Sequence, residues 1–386
     1  MNTMRSSDRI LTTHAGSLPR PPSIRDTMAA RHEGKDDRAT LDRDLPAAVA
    51  EIVTKQIEVG IDSVNDGEFG KTNFTNYVMD RVAGLEVRPF DPAKEQYILS
   101  MIERDKAKFP EYFEVRYRRP SIPGGRPHCI GPLKYTGHAQ VKRDIDNLTA
   151  AVKGKNVAEA FLPANTPGTA EHWMVNEYYP NAEALVFAIA DCLHEEYKAI
   201  TDAGLVLQLD DPDLPDGWNC FADMDKKTYL KYAALRVDAL VHALKGIPKE
   251  QVRLHVCWGS FHGPHYDDIP LTEIIDLILK VPASSYSIEA SNPVHEHEWK
   301  VFETVKLPDG ATLVPGVIGH FSDFIEHPDL VAEWLVRYAK LVGRENVIAG
   351  TDCGMSRVGH PSICWAKFEA MAEGARRATK QLWGRN

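Results

Sequence analysis

No run of about 18 consecutive apolar residues, the length a membrane-crossing helix needs, occurs in the sequence. A transmembrane helix is therefore excluded. The stretch Met1 to Leu11 is polar and lacks the apolar core of a secretory signal, so a cytoplasmic location is expected. Extended runs of lysine or arginine are also missing, and the formal net charge is −10. Nucleic acid and anionic membrane both require a basic footprint, so neither is expected as a partner. The short cluster Arg116-Tyr117-Arg118-Arg119 reads as a solvated loop. Cysteine is sparse, with six in 386 residues. That is too few for a disulfide scaffold, and a reducing compartment keeps them as thiols. A chain this long buries most of its apolar surface without cross-links. There is no internal repeat and no low-complexity tract. No Gly-x-Gly-x-x-Gly follows the first strand pattern, which weakens a dinucleotide-binding reading.

What is present is alternation. Short β-rich apolar runs fall at Ile10–His14, Ser63–Asp66, Ala158–Pro163, Val206–Leu209, Arg253–Cys257, Tyr286–Glu289, Leu313–Ile318 and Val347–Thr351. Helical patterns lie between them, at Pro46–Glu58, Ala182–Asp202, Lys226–Lys245, Leu271–Lys280, Leu330–Val342 and Pro361–Thr379. In Ala182–Asp202 the apolar positions 185, 186, 189, 193, 197 and 200 follow a 3.6 period, and Gly204 follows as a stop. Eight strands alternating with helices is the count of a (β/α)8 TIM barrel, with a doubly wound open sheet as its competitor. The expected organisation is a single α/β barrel domain over residues 1–386. Gly84–Gly137 breaks the alternation and holds Ser121-Ile-Pro-Gly-Gly-Arg-Pro127. It reads as an inserted arm with a helix and a hairpin at the catalytic mouth, long enough for a functional lid.

The chemistry-bearing residues cluster at strand ends. His255 and Cys257 are two apart on one strand, so they point to one face. The sixth strand ends in Ser287-Ile-Glu289, and the eighth in Gly350-Thr-Asp352-Cys353. In a barrel the C-terminal ends of these strands converge on one mouth. That gathers His255, Cys257, Glu289 and Cys353 into one coordination sphere, whose imidazole, carboxylate and thiolates suit Zn²⁺. A lone His-x-Cys is weak, because free cysteine is common in cores. Cys129, Cys192, Cys220 and Cys364 read as such structural cysteines.

Other strands end in Thr12-Thr-His14-Ala-Gly-Ser17, in Asn65-Asp-Gly-Glu68, in Gln208-Leu-Asp210-Asp-Pro-Asp213 and in Gly319-His320. Asp66 and Asp213 read as caps of the following helices. Glu68 and Asp210 fall beside the metal mouth, where paired carboxylates can hold an ammonium group. Histidine titrates near neutrality, so His320 is placed as a general acid or base, with a structural histidine as the alternative. His262, His265, His295 and His297 read as rim residues rather than a second metal site.

Taken together, these segments resemble the cobalamin-independent methionine synthase family, specifically its C-terminal catalytic barrel. The likeness is carried by Thr12–Arg20, Asp66-Gly-Glu68, Gln208–Pro212, His255-x-Cys257, Ile288-Glu289, Gly316–His320 and Asp352-Cys-Gly354. The resemblance implies a zinc site from His255, Cys257, Glu289 and Cys353. It implies that Glu68 and Asp210 bind the amino group of homocysteine, with the Ser17 turn at the carboxylate and His14 beside it. It implies proton transfer by His320, and a Trp173 that faces a folate ring. The expected activity is zinc-dependent transfer of a methyl group, from methylfolate or another donor, to a homocysteine-like thiol. Short relatives include epoxyalkane:coenzyme M transferase. Transfer of an epoxide or alkyl group to coenzyme M or another small thiol is therefore the alternative, with Arg20, Lys71 and Arg119 as candidate sulfonate partners. A structural-zinc binding protein is the non-enzymatic alternative. A homo-oligomer is compatible with the composition.

Overall fold

The computed structural model describes residues 4–32, 38–74, 76–89, 102–116 and 125–384. Its strands are β1 (Leu11–Thr12), β2 (Ser63–Val64), β3 (Val82–Arg88), β4 (Arg126–Tyr135), β5 (Glu159–Asn165), β6 (Val175–Asn176), β7 (Val206–Asp210), β8 (Val252–Val256), β9 (Ser285–Ile288), β10 (Thr312–Pro315) and β11 (Ile348–Ala349). Six of them form one parallel sheet in the order β10-β9-β8-β7-β5-β2, and β1 pairs with β11. Parallel bridges Leu313–Val347 and Gly316–Gly350 join β10 to β11. The Asp62 N–H donates to the Thr12 carbonyl at 3.1 Å and brings β2 against β1. The ring thereby closes into the expected eight-stranded α/β barrel. Both faces of such a sheet are covered, which is why β7, β8 and β10 are buried at every position.

The helices pack outside the ring. Ala182–Asp202 begins where the Asn181 side chain accepts from the Ala184 N–H at 2.8 Å. It buries Leu185, Ile189, Leu193, Tyr197 and Ile200, and Gly204 follows at φ 79°. The helix expected from Pro46 starts earlier, at Arg38, with Pro46 inside it. Leu41 and Leu45 are buried, so core packing extends the helix ahead of the proline.

β3 and β4 form an antiparallel hairpin outside the barrel, and β6 adds to it in parallel. Arg81 anchors its base, donating to Asp144 at 2.5 Å and Glu196 at 3.0 Å. Between the hairpin strands lie two short helices, Glu103–Lys108 and Pro110–Arg116. They rest on the loop after β8, where Phe113 stacks on Phe261 at 6.0 Å and Phe109 meets Tyr266 at 5.4 Å. Of the Arg116–Arg119 cluster only Arg116 is described, and it is exposed. Arg119 and residues 121–124 of the Ser121–Pro127 motif lie outside the described residues.

Candidate functional site

The register of the barrel sets the site. Asn165 of β5 pairs with Asp210 of β7, and Asp210 pairs with His255 of β8. These three therefore share one layer at the C-terminal end. Cys257 follows β8, two residues beyond His255, and the alternation of a strand turns it the same way. Cys353 arrives in the turn after β11. One ligand atom from each of His255, Cys257 and Cys353 lies within 4.8 Å of the other two. The two sulfurs are 3.6 Å apart. His255 Nδ1 is held by Ser287 Oγ at 3.0 Å, while its buried Nε2 has no hydrogen-bond partner. With the proton on Nδ1, Nε2 would be available to a metal. The pair of thiols shares its protons unequally: donation from Cys257, with the His320 and His255 imidazoles nearby, holds the Cys353 thiol well below its ordinary value. The same hydrogen bond and burial push the Cys257 thiol up. An imidazole nitrogen and two sulfurs, one already inclined to ionise, fit a zinc ion.

Glu289 stands outside that group of three. Its Oε2 accepts from the Trp258 N–H and its Oε1 from Asn292 Nδ2, each at 2.9 Å. Burial, with Asp352 adding to it, pushes its carboxyl up to about 8.

Glu68 occupies a left-handed backbone position at φ 61°, uncommon for a residue with a side chain. The Asp66 side chain accepts from the Glu68 N–H at 2.9 Å, within a turn rather than at the helix start expected of it. Arg20 donates to the carbonyls of Glu68, Lys71 and Thr72 and fixes the loop from below. Gly16 passes so close that a β-carbon there would fall 2.8 Å from the Glu68 carboxylate. Burial raises the Glu68 carboxyl and pushes Asp210 up to about 8. Two buried carboxyls whose charged forms burial disfavours are what a site built for a cation should show. Lys71 is buried beside them, donating to the Pro163 carbonyl with its ammonium 4.5 Å from the Tyr77 ring.

Ser17 Oγ contacts Ser356 Oγ at 2.6 Å at the rim. His14 lies behind this turn: its Nδ1 accepts from the Gly16 N–H at 3.1 Å and its Nε2 meets Gln56 Oε1 at 2.8 Å. Burial pulls its pKa down to about 4, so it stays neutral. His320 is 1% exposed, and neither ring nitrogen has a hydrogen-bond partner. The buried indole N–H of Trp173 is likewise without one.

Sequence reasoning missed several members of this layer. Asn165 is fully buried and neither amide atom has a partner. Its place at the last residue of β5, level with Asp210, was the available signal. Asp213 does not cap a helix as expected. Asp211 does that, accepting from Leu214 N at 3.2 Å, while Asp213 faces His172 Nδ1 at 2.9 Å. His172 in turn meets Cys220 Sγ at 3.5 Å, so Cys220 belongs to a buried polar group. His265 and His295 both bind Asp268, at 2.8 and 3.1 Å. Among the described residues the histidine-rich loops form this ion network and no second metal-compatible cluster. No described helix is long and apolar enough to cross a membrane.

The family model of the cobalamin-independent synthase catalytic domain matches residues 164–377. A methionine synthase of Saccharolobus solfataricus is 23% identical over 375 residues, covering 96% of this chain and 95% of the relative. One from Sulfolobus acidocaldarius is 27% identical over 353 residues, covering 89% and 85%. Among solved structures, a B12-independent methionine synthase from Shewanella sp. W3-18-1, in complex with selenomethionine, superposes with a TM-score of 0.71. It is 20% identical, and the match covers 98% of this chain and 100% of that one, a likeness of fold.

Proposed function

The chain belongs to the cobalamin-independent synthase family, in its catalytic domain, and on that premise we propose that it is a zinc-dependent thiol methyltransferase. Its acceptor is a homocysteine-like thiol, and its donor is methylfolate or another methyl donor. The observation that carries this reading is the convergence of His255, Cys257 and Cys353 within 4.8 Å, at a mouth that also holds two buried carboxylic acids. Zinc held by these three, with Glu289 as the fourth ligand, would keep an incoming thiol ionised at neutral pH.

The remaining steps belong to side chains. Glu68 and Asp210 take up the substrate ammonium, whose charge favours the ionised form of both. Ser17 meets the substrate carboxylate, and His14, neutral and buried, holds that turn in place. Trp173 offers a flat face and a free indole N–H to the donor. The sulfur–carbon bond forms as the bond from that carbon to the leaving atom breaks. His320, with no partner on either nitrogen, hands a proton to the leaving atom.

Two observations weigh against the competing readings. A sulfonated thiol needs a free cation, and the two described candidates are engaged, Arg20 by three carbonyls and Lys71 by another, while Arg119 lies outside the described residues. A purely structural metal has no use for an unpartnered His320 and Asn165 at the same mouth.

Zinc K-edge X-ray absorption before and after homocysteine tests the proposal. Two sulfurs rising to three support it; an unchanged shell overturns homocysteine as the acceptor, and repeating with coenzyme M tests the alternative thiol. Cys353→Ser should lose zinc and turnover together. Full turnover in a zinc-free Cys353→Ser protein would sink the mechanism.

A further inference from the structure

His320 has no hydrogen bond to fix its ring, so something else must aim it. Its ring lies against Phe321, centroids 3.9 Å apart. Phe321 is in turn flanked by the edges of His265 and His262, each at 5.4 Å. His265 is the unusual member. Its backbone is left-handed at φ 50°, a conformation that persists only where the surroundings hold it. Its imidazole is tied to Asp268 and to the Phe261 carbonyl, both at 2.8 Å. Its backbone is tied to the inserted arm. Asp105, 3% exposed, accepts the His265 N–H on one carboxylate oxygen at 2.8 Å and the Tyr266 N–H on the other at 2.9 Å. The neighbouring Arg104 clamps the arm to the preceding loop, through the Trp218 and Met224 carbonyls, with its guanidinium 3.3 Å from the Trp218 ring.

We propose that Asp105 is a positioning residue for proton delivery: by capturing two consecutive N–H groups it holds His265 in its strained form, His265 holds Phe321, and Phe321 aims His320. This gives the arm a task within the reaction, and it rests on the role assigned to His320 above. The carboxylate suits the work because it alone offers two oxygens to two adjacent donors. Asparagine keeps the volume but turns one acceptor into a donor facing an N–H.

The test is a double-mutant cycle in the zinc-loaded full chain, reading methionine formed from homocysteine and methylfolate. Asp105→Ala should lower kcat roughly 10- to 100-fold, the scale of a displaced catalytic group. The KM for homocysteine and the zinc content should not change, and the His265 and Tyr266 amides should exchange faster. In a His320→Ala background the same change should cost no more than about twofold, since the group it aims is gone. Asp105→Asn should fall between, and it serves if the alanine variant fails to fold. An unchanged kcat in both Asp105 variants overturns the proposal. So does an equal loss in both backgrounds, which would mark Asp105 as a structural brace. A His320→Ala protein with full kcat defeats the assigned role of His320, and the proposal with it, whatever the exchange data show.

Discussion

The side-chain amide of Gln208 donates to Asp210 Oδ1 at 2.8 Å and, through the same nitrogen, to the Ala15 carbonyl at 2.7 Å. One buried group thereby joins the acid proposed to hold the substrate ammonium to the turn that presents Ser17. Gln208 Oε1 accepts from Arg253 at 3.3 Å, and Arg253 runs on to Glu159 inside the barrel. Gln208→Leu strands a carboxylate oxygen, a carbonyl and a guanidinium N–H in the core. It should destabilise the fold by about 1–3 kcal/mol, the usual cost of buried groups left unsatisfied. It should also weaken homocysteine binding roughly tenfold, which is about 1.4 kcal/mol. Urea unfolding and calorimetric titration read the two effects separately. Lost stability with unchanged affinity would make Gln208 a prop of the barrel alone.

Cys257 and Cys353 come from strands far apart in sequence yet bring their sulfurs to 3.6 Å. With metal bound, both would be occupied as ligands. Stripped by a chelator, they are a pair of thiols in contact, one of them inclined to ionise and so ready to attack. Treatment of the stripped protein with diamide should remove two of the six thiols and abolish zinc uptake, and dithiothreitol should restore both. The zinc-loaded protein should resist. If Cys257→Ala also loses two thiols, the bridge forms elsewhere.

Much of this architecture was legible because local and tertiary signals agree. The helices Ala182–Asp202 and Leu271–Lys280 carry their period and their ends in sequence, and the structure places them at those residues. The convergence of His255, Cys257 and Cys353 follows from strand alternation and from the shared C-terminal mouth of a barrel. What was hidden depends on partners distant in sequence. His14 is held by Gln56, 42 residues on. Cys220 is drawn into a polar group by His172, 48 residues before it. The Glu289 carboxylate is claimed by a backbone N–H, a donor that no residue type announces. The helix start at Arg38 was obscured because Pro46 mimics a first-turn proline.

Arg81 is a second point where distant groups meet. It is 3% exposed and pairs with Asp144 and Glu196, both buried, at the base of the hairpin. Tyr135 adds a hydrogen bond to Glu196 at 2.8 Å. Arg81→Met leaves buried Glu196 without its cation and Asp144 with Arg143 alone. Breaking a buried pair from one side costs about 3–5 kcal/mol, more than replacing all its members would. A fall of that size in the chemical unfolding free energy is expected. A change below about 1 kcal/mol would place Arg81 in the range of an exposed ion pair instead.

The His265–Asp268–His295 network makes stability depend on pH. The Asp268 carboxylate raises the pKa of His265 to about 9, and Asp268 and Glu298 raise that of His295 to about 10, against burial that opposes both. In the unfolded chain both imidazoles titrate near 6.5. A group whose pKa is higher in the folded state stabilises it fully below the unfolded value and loses that contribution as pH rises through the folded one. Stability should therefore decline from about pH 6.5 to about pH 10, as the imidazoliums lose their protons beside Asp268. The midpoint of urea unfolding, followed across that window, measures the decline. Asp268→Asn removes the common partner and should flatten the curve at a lower plateau. An equally steep decline in Asp268→Asn would assign the pH dependence to other groups.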